Sequence, residues 1–188
     1  MRALPIGWVL PHDQAERRRQ VTIAMSRATH ADPAALVAAC VIAACASLAL
    51  ENASPSMLLE VAVEEARQAA QAVRTEKRLA EMLTEVSAGT WEPPANGISP
   101  DPYETVAAAL WCATRATFLR SGLVNAVQLG GDTDTVAALV GGLMGGKLTA
   151  EQVRAELPWH RLVVPPEPES AIAETAAALA TSRAIQSV

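Results

Sequence analysis

The sequence predicts an all-α protein, and three observations carry that prediction. Alanine dominates the apolar residues, β-branched residues are thin, and aromatics make up only 3% of the chain, a mix that favours helices over strands. Apolar side chains recur along one face of long segments rather than alternating. Three segments open with a capping residue followed by proline, at Asp32-Pro33, Ser54-Pro55 and Asp101-Pro102. The cap accepts a bond from a free backbone N–H of the first turn, and proline at the next position gives up only an N–H that would be orphaned there. At 188 residues, 51% hydrophobic and 19% charged, the chain suits one ordered domain with a real core.

Pro11 to Arg27 reads as a polar, amphipathic helix, with the triplet Arg17-Arg18-Arg19 on a solvated face. Asp32 and Pro33 open a second helix to about Leu50 that is hydrophobic all round, and so central. Its uncharged run sits at the low edge of a membrane span. Alanine and Ser47 contribute little to insertion, so a buried core helix is the reading adopted. Ser54 caps a long helix over residues 55–87, with Glu64, Glu65, Arg67, Arg74, Glu76, Lys77 and Arg78 on its polar face and Gly89 at its end. "TWEPPANGISPDP" is a loop. Asp101 caps a helix continuing to about Arg120, with Glu104 close to a capping box. Residues 122–129 form a short turn of helix. Another helix runs to about Gly145, a short one covers 150–157, "VVPPEPE" is a linker, and an alanine-rich helix over 171–185 docks loosely. No strand and no internal repeat emerge.

Charge and cysteine narrow the function. The net charge of −5 and the lack of a basic stripe exclude nucleic acid as the main partner. Cys40, Cys45 and Cys112 are odd in number and lack metal-ligand spacing, which fits free buried thiols in a reducing compartment, hence a cytoplasmic protein with no membrane partner. "MRALPIGWVLPHD" is no signal peptide, since Pro11 and Asp13 cut its apolar run short.

The chemistry concentrates in "QLGGDTDTVAALVGGLMGG", from Gln128 to Gly146. Within a regular helix Asp132 and Asp134 would diverge by roughly 200°. At a loop-to-helix junction they can converge, with Asp132 before or at the cap and Asp134 and Thr135 in the first turn. Gly130 and Gly131 allow positive φ and close backbone approach there. Two carboxylates and a hydroxyl supply hard oxygen ligands for Mg²⁺, Mn²⁺ or Ca²⁺. The plainer reading is that Asp132 or Thr133 caps the helix while Asp134 complements its dipole, and the residues alone leave both readings open. An Asp-x-Asp-x-Thr phosphatase site of the haloacid-dehalogenase type is rejected, because it needs a buried strand before the first aspartate. Glycines spaced four apart, Gly141 with Gly145 and Gly142 with Gly146, point to backbones packing tightly on this helix.

Taken together, "LGGDTDTVAALVGGLMGG", "MRALPIGW", "ATHADPAALVAACVIAA" and "YETVAAALWC" resemble, in order, motifs of the ADP-ribosylglycohydrolase family, the group of dinitrogenase-reductase-activating glycohydrolase. The resemblance covers roughly residues 1–163, leaving 164–188 as linker and terminal helix. It implies an all-α orthogonal multi-helix bundle with two Mg²⁺ ions, sometimes Mn²⁺, in a cleft. It also implies hydrolysis of the glycosidic bond between ADP-ribose and a protein side chain or small acceptor. Carried over motif by motif, Asp132, Asp134 and Thr135 become metal ligands, His30 lies near the ADP-ribose, and Met1 and Arg2 follow the loop that cradles the diphosphate. Gly130 and Gly131 bring the backbone close to the substrate. Without the resemblance, His30 reads as a local hydrogen-bonding residue and Arg2 as a solvated terminus.

The departures set further expectations. Nothing matches the family's Gly-Asp segment or its Ser/Thr-Asp-Asp-Thr motif, which supply the other ligands and the candidate catalytic carboxylate. The chain is therefore expected to lack the family's N-terminal helices, with the catalytic residue upstream of Met1, half of the metal site, little activity alone and a tendency to self-associate. The alternative is a non-catalytic helical module derived from that domain. Gln128 replaces the family's usual Asn. Asp101 replaces an aromatic residue, leaving Tyr103 as the nearest aromatic that could line an adenine pocket.

Overall fold

A computed structural model of the chain describes residues 2–159 and 166–186. These form ten helices and no strand, an all-α architecture as expected. The central element is α3 (Pro33–Ala49), buried along nearly its whole length. Helices α1 (Leu4–Val9), α2 (Ala15–Arg27), α4 (Pro55–Val73), α6 (Pro102–Arg115) and α8 (Thr133–Gly145) pack around it. Asp32, Ser54 and Asp101 each cap as anticipated, accepting bonds from Ala34, from Met57, and from Tyr103 and Glu104. Among the described residues no helix is long and apolar enough to cross a membrane.

Several boundaries differ from expectation. The six residues of α1 escaped notice because so short a helix shows no period. Its Gly7 crosses α3 so closely that a Cβ there would lie 2.1 Å from the Ala43 carbonyl oxygen. The long helix expected over 55–87 is two. Arg74 adopts the left-handed conformation (φ +57), its N–H turns back to Ala70 and Gln71, and α5 (Arg78–Ala88) starts afresh. The break carries an arginine where glycine is the usual signal, so nothing in the letters marks it. Gly89, with φ +77, ends α5 as expected. Helix α6 stops at Arg115 rather than Arg120, because Ala116 and Phe118 are extended, and α7 (Leu119–Gln128) follows as a full helix.

Two charge assignments are also corrected. Only Arg17 of the arginine triplet is exposed, and it donates to Gln14 and Gln186. Arg18 is 2% exposed and donates to the carbonyls of Pro11 and His12. Arg19 makes a two-pronged pair with Glu65 at 2.7 and 3.0 Å, which places Glu65 in the α2–α4 interface instead of on the polar face. Burial pushes the Glu65 carboxyl up, and the Arg19 guanidinium opposes that shift. The three cysteines are free and buried. Desolvation holds the Cys40 and Cys45 thiols at about 12 and Cys112 at about 11.

Helix α8 packs tightly, as its glycines suggest: a Cβ on Gly142 would lie 2.4 Å from Leu4. The short α9 (Ala150–Glu156) carries a capping box between Thr149 and Gln152. The terminal α10 (Pro166–Gln186) starts inside the expected linker, since prolines are tolerated in a first turn whose N–H groups have no helical partner. The rest of that linker, residues 163–165, lies outside the described residues.

Candidate metal centre

The motif from Gly130 to Thr135 is shaped by a contact that no local pattern announces. Gly130 and Gly131 both hold positive φ, +73 and +72. The loop before α6 lies against them: the Ile98 N–H donates to the Gly130 carbonyl at 3.0 Å, and the Asp132 N–H donates to the Ile98 carbonyl at 2.8 Å. This single parallel bridge leaves no room for a side chain, since a Cβ on Gly131 would sit 2.0 Å from the Ile98 oxygen. Both glycines thus do what was expected of them, one supplying the turn and the other the close approach.

Asp132 occupies the N-cap position of α8, yet its side chain accepts nothing from the backbone of the first turn. Asp32, Ser54, Asp101 and Thr149 all make such a bond at their helices. The capping reading therefore fails for Asp132. Its carboxyl lies within hydrogen-bonding reach of Asp134 instead, and that contact, with help from the Thr135 N–H, holds the Asp134 carboxyl below the usual carboxylate range. Asp134 is exposed, and Asp132 and Thr135 are partly so. Both aspartates stand at the amino terminus of α8, where the helix's partial positive charge suits acidic side chains.

This donor set suits Mg²⁺, which is commonly held by one or two carboxylates while keeping several waters and taking further oxygens from its substrate. Among the described residues no group of three or more His, Cys, Asp and Glu side chains gathers to hold a metal. Asp132, Asp134 and Thr135 stand at the start of α8, Asp132 at the N-cap and the other two in the first turn.

The surroundings are set by the amino-terminal ends of three helices. The Ile98–Gly131 bridge ties the start of α6 to the start of α8. An open cleft of about 520 Å³ then joins α6 to α3. Tyr103 forms its floor, with Asp32, Pro33 and Ala34 on one side and Arg74, Thr75, Glu76 and Arg78 from the α4–α5 break on the other. Burial, then the charges of Asp101 and Asp32, push the Tyr103 hydroxyl up. Sequence reasoning named Tyr103 but missed Arg74 and Arg78 as neighbours, because the left-handed turn that brings them there has no glycine to reveal it.

Neither His30 nor Arg2 makes a hydrogen bond or ion pair to the junction motif. His30 is exposed two residues before α3, its Nδ1 2.9 Å from the Thr29 hydroxyl, the local bond that the residues alone suggested. Arg2 is exposed in the turn before α1. Two residues on, Leu4 packs on Gly142 in the second half of α8, away from the motif at its amino terminus. Met1 lies outside the described residues.

Comparison with known proteins bears on this geometry directly. No curated protein matches the chain. The family model described as ADP-ribosylglycohydrolase matches residues 1–186, a span that includes the junction motif, the cleft and α10. The chain belongs to the ADP-ribosylglycohydrolase family, whose members are hydrolases that act on ADP-ribosylated substrates and generally depend on a metal ion.

Proposed function

We propose that this chain serves the Mg²⁺-dependent hydrolysis of the glycosidic bond joining ADP-ribose to a protein side chain or small acceptor. In this reading Asp132, Asp134 and Thr135 are metal ligands, with Mn²⁺ an acceptable substitute. The observation that supports the reading is the junction itself: Asp132 at the start of α8 makes no cap bond, and Asp134 in the first turn is held below the usual carboxylate range. When bound, the ion supplies positive charge that holds ribose hydroxyls and polarises a water. Asp134 stays ionised at neutral pH and so remains available as a ligand. Gly130 and Gly131 are assigned to substrate contact on the strength of the motif, although the close approach at Gly131 is made by Ile98. Arg2 and His30, both exposed, are assigned to the diphosphate and the ADP-ribose on the strength of their motifs. The three free thiols fit a cytoplasmic setting.

In this reading the three ligands form one wall of a site, and Mg²⁺ held by them alone binds weakly. Calorimetric titration with Mg²⁺ tests the wall: millimolar binding is expected, and a stoichiometric micromolar site contradicts it. Release of ADP-ribose from a modified protein tests catalysis, with little turnover expected from the chain alone. A second reading, a non-catalytic helical module that binds a partner, draws on the lack of a third acidic ligand among the described residues. It predicts that Mg²⁺ at any concentration leaves the Asp132–Asp134 pair unaffected.

A further inference from the structure

Helix α10 touches the body of the protein through its last turns, and one side chain dominates the contact. Arg183 Nη1 donates to the carbonyls of Gly7 at 3.1 Å, Trp8 at 3.4 Å and Leu10 at 3.3 Å, and to the Ser47 hydroxyl at 3.3 Å. Its Nη2 donates to the Ser47 carbonyl at 3.4 Å and to Glu51 Oε1 at 2.6 Å. Towards its other end α10 is solvated, with Ile172 59% exposed.

The oxygens around Arg183 have a common origin. Gly7 and Trp8 belong to the last turn of α1, and Ser47 to the last turn of α3, where carbonyls have no partner within the helix. The two helices cross closely at Gly7, so their negative ends lie together. Glu51 adds a full negative charge just beyond α3. The same carboxylate oxygen also faces the His12 N–H at 3.4 Å, which fixes it at the rim. A flat, forked cation with five N–H donors is the side chain best matched to such a set, and an ammonium is not.

We propose that the joined carboxy-terminal ends of α1 and α3, with Glu51, form a guanidinium-binding socket separate from the metal centre. Arg183 is its resident ligand and makes α10 a latched helix. The chemical class that the socket takes is a guanidinium group, so an arginine side chain offered by another protein competes with Arg183 for these oxygens and releases α10.

The full chain carrying Arg183→Ala tests this with methylguanidinium as the probe. Titration followed by amide NMR, with sodium chloride matched for ionic strength, is expected to give saturable shifts at Gly7, Trp8, Leu10, Ser47 and Glu51 in the millimolar range. The parent chain should show the same shifts only at concentrations at least tenfold higher, because Arg183 must first be displaced, and adding Glu51→Gln should weaken binding at least fivefold. Methylammonium should not substitute. Shifts that fail to saturate, or that appear equally in the parent, overturn the proposal. Should Arg183→Ala fail to fold, the guanidinium resonances of the parent decide. Arg183 is expected to show resolved, slowly exchanging Nη signals that the exposed Arg27 lacks, and averaged signals overturn the socket.

Discussion

Replacing Gly131 by alanine should damage the junction more than the same change at Gly130, although the two glycines have nearly equal φ. Both variants force a side chain into the left-handed region, at about 1 kcal/mol. At Gly130 the new Cβ meets only Gly97 Cα at 3.7 Å, an ordinary contact. At Gly131 it would lie 2.0 Å from the Ile98 oxygen and 2.6 Å from its nitrogen, so the bridge must open. Opening it removes the Ile98-to-Gly130 and Asp132-to-Ile98 hydrogen bonds, each worth about 0.5–1.5 kcal/mol. The total for Gly131→Ala is about 2–4 kcal/mol, against about 1 kcal/mol for Gly130→Ala. For a chain of this size that corresponds to a fall in Tm of about 4–16 °C against about 2–4 °C. Urea denaturation with a shared m-value, supported by thermal scans, measures the difference. Equal losses within about 0.5 kcal/mol, the usual scatter of such comparisons, would refute the close approach of Ile98 to Gly131 and with it the placement of Asp132.

Other consequences can be checked on the same chain. Gly7→Ala should cost at least about 2 kcal/mol, since its Cβ would strike backbone rather than a movable side chain. Arg19→Ala strands the Glu65 carboxylate in the α2–α4 interface, and its loss of about 3–5 kcal/mol should exceed that of Glu65→Gln. The pH dependence of that loss has a definite sign. A carboxyl whose folded pKa is raised holds its proton where the unfolded chain has lost it, so acidification from pH 7 toward 5 should shrink the Arg19→Ala deficit relative to the parent. A flat deficit would mean that Glu65 is not its source. Thiol labelling should track global unfolding: Cys40, Cys45 and Cys112 are buried, with folded pKa values of about 11 to 12, so they should react only from the opened chain, at rates that rise with added urea and with the pH dependence of an ordinary thiol.

Legibility in the sequence followed the range of the interaction. Asp32, Ser54 and Asp101 could be read because a cap is a bond between near neighbours and its residue types are few. The apolar girdle of α3 could be read because burial on every side leaves no polar face. The turn at Arg74 could not, since its left-handed residue is not glycine. Arg18 and Glu65 were assigned to solvent because a charge at a helical position says nothing of the helix opposite. The Ile98–Gly131 bridge joins residues far apart in the chain, and only its glycines hinted at it. The convergence of Asp132 and Asp134 was legible as a possibility from the spacing; of its competitor, the structure removes an Asp132 cap bond and keeps Asp134 in the first turn, where it complements the helix dipole. Nothing in "SRAIQ" announced that Arg183 would end among the carbonyls of α1 and α3.

The central claim is that Asp132, Asp134 and Thr135 form a cation-binding wall at the start of α8. Titration with Mn²⁺ tests it most directly, because the ion broadens amide resonances close to where it binds. Selective broadening across Asp132 to Val136 at millimolar Mn²⁺, reversed by excess Mg²⁺ and lost in Asp134→Asn, is the predicted result. Broadening centred elsewhere, or unchanged in Asp134→Asn, would contradict it.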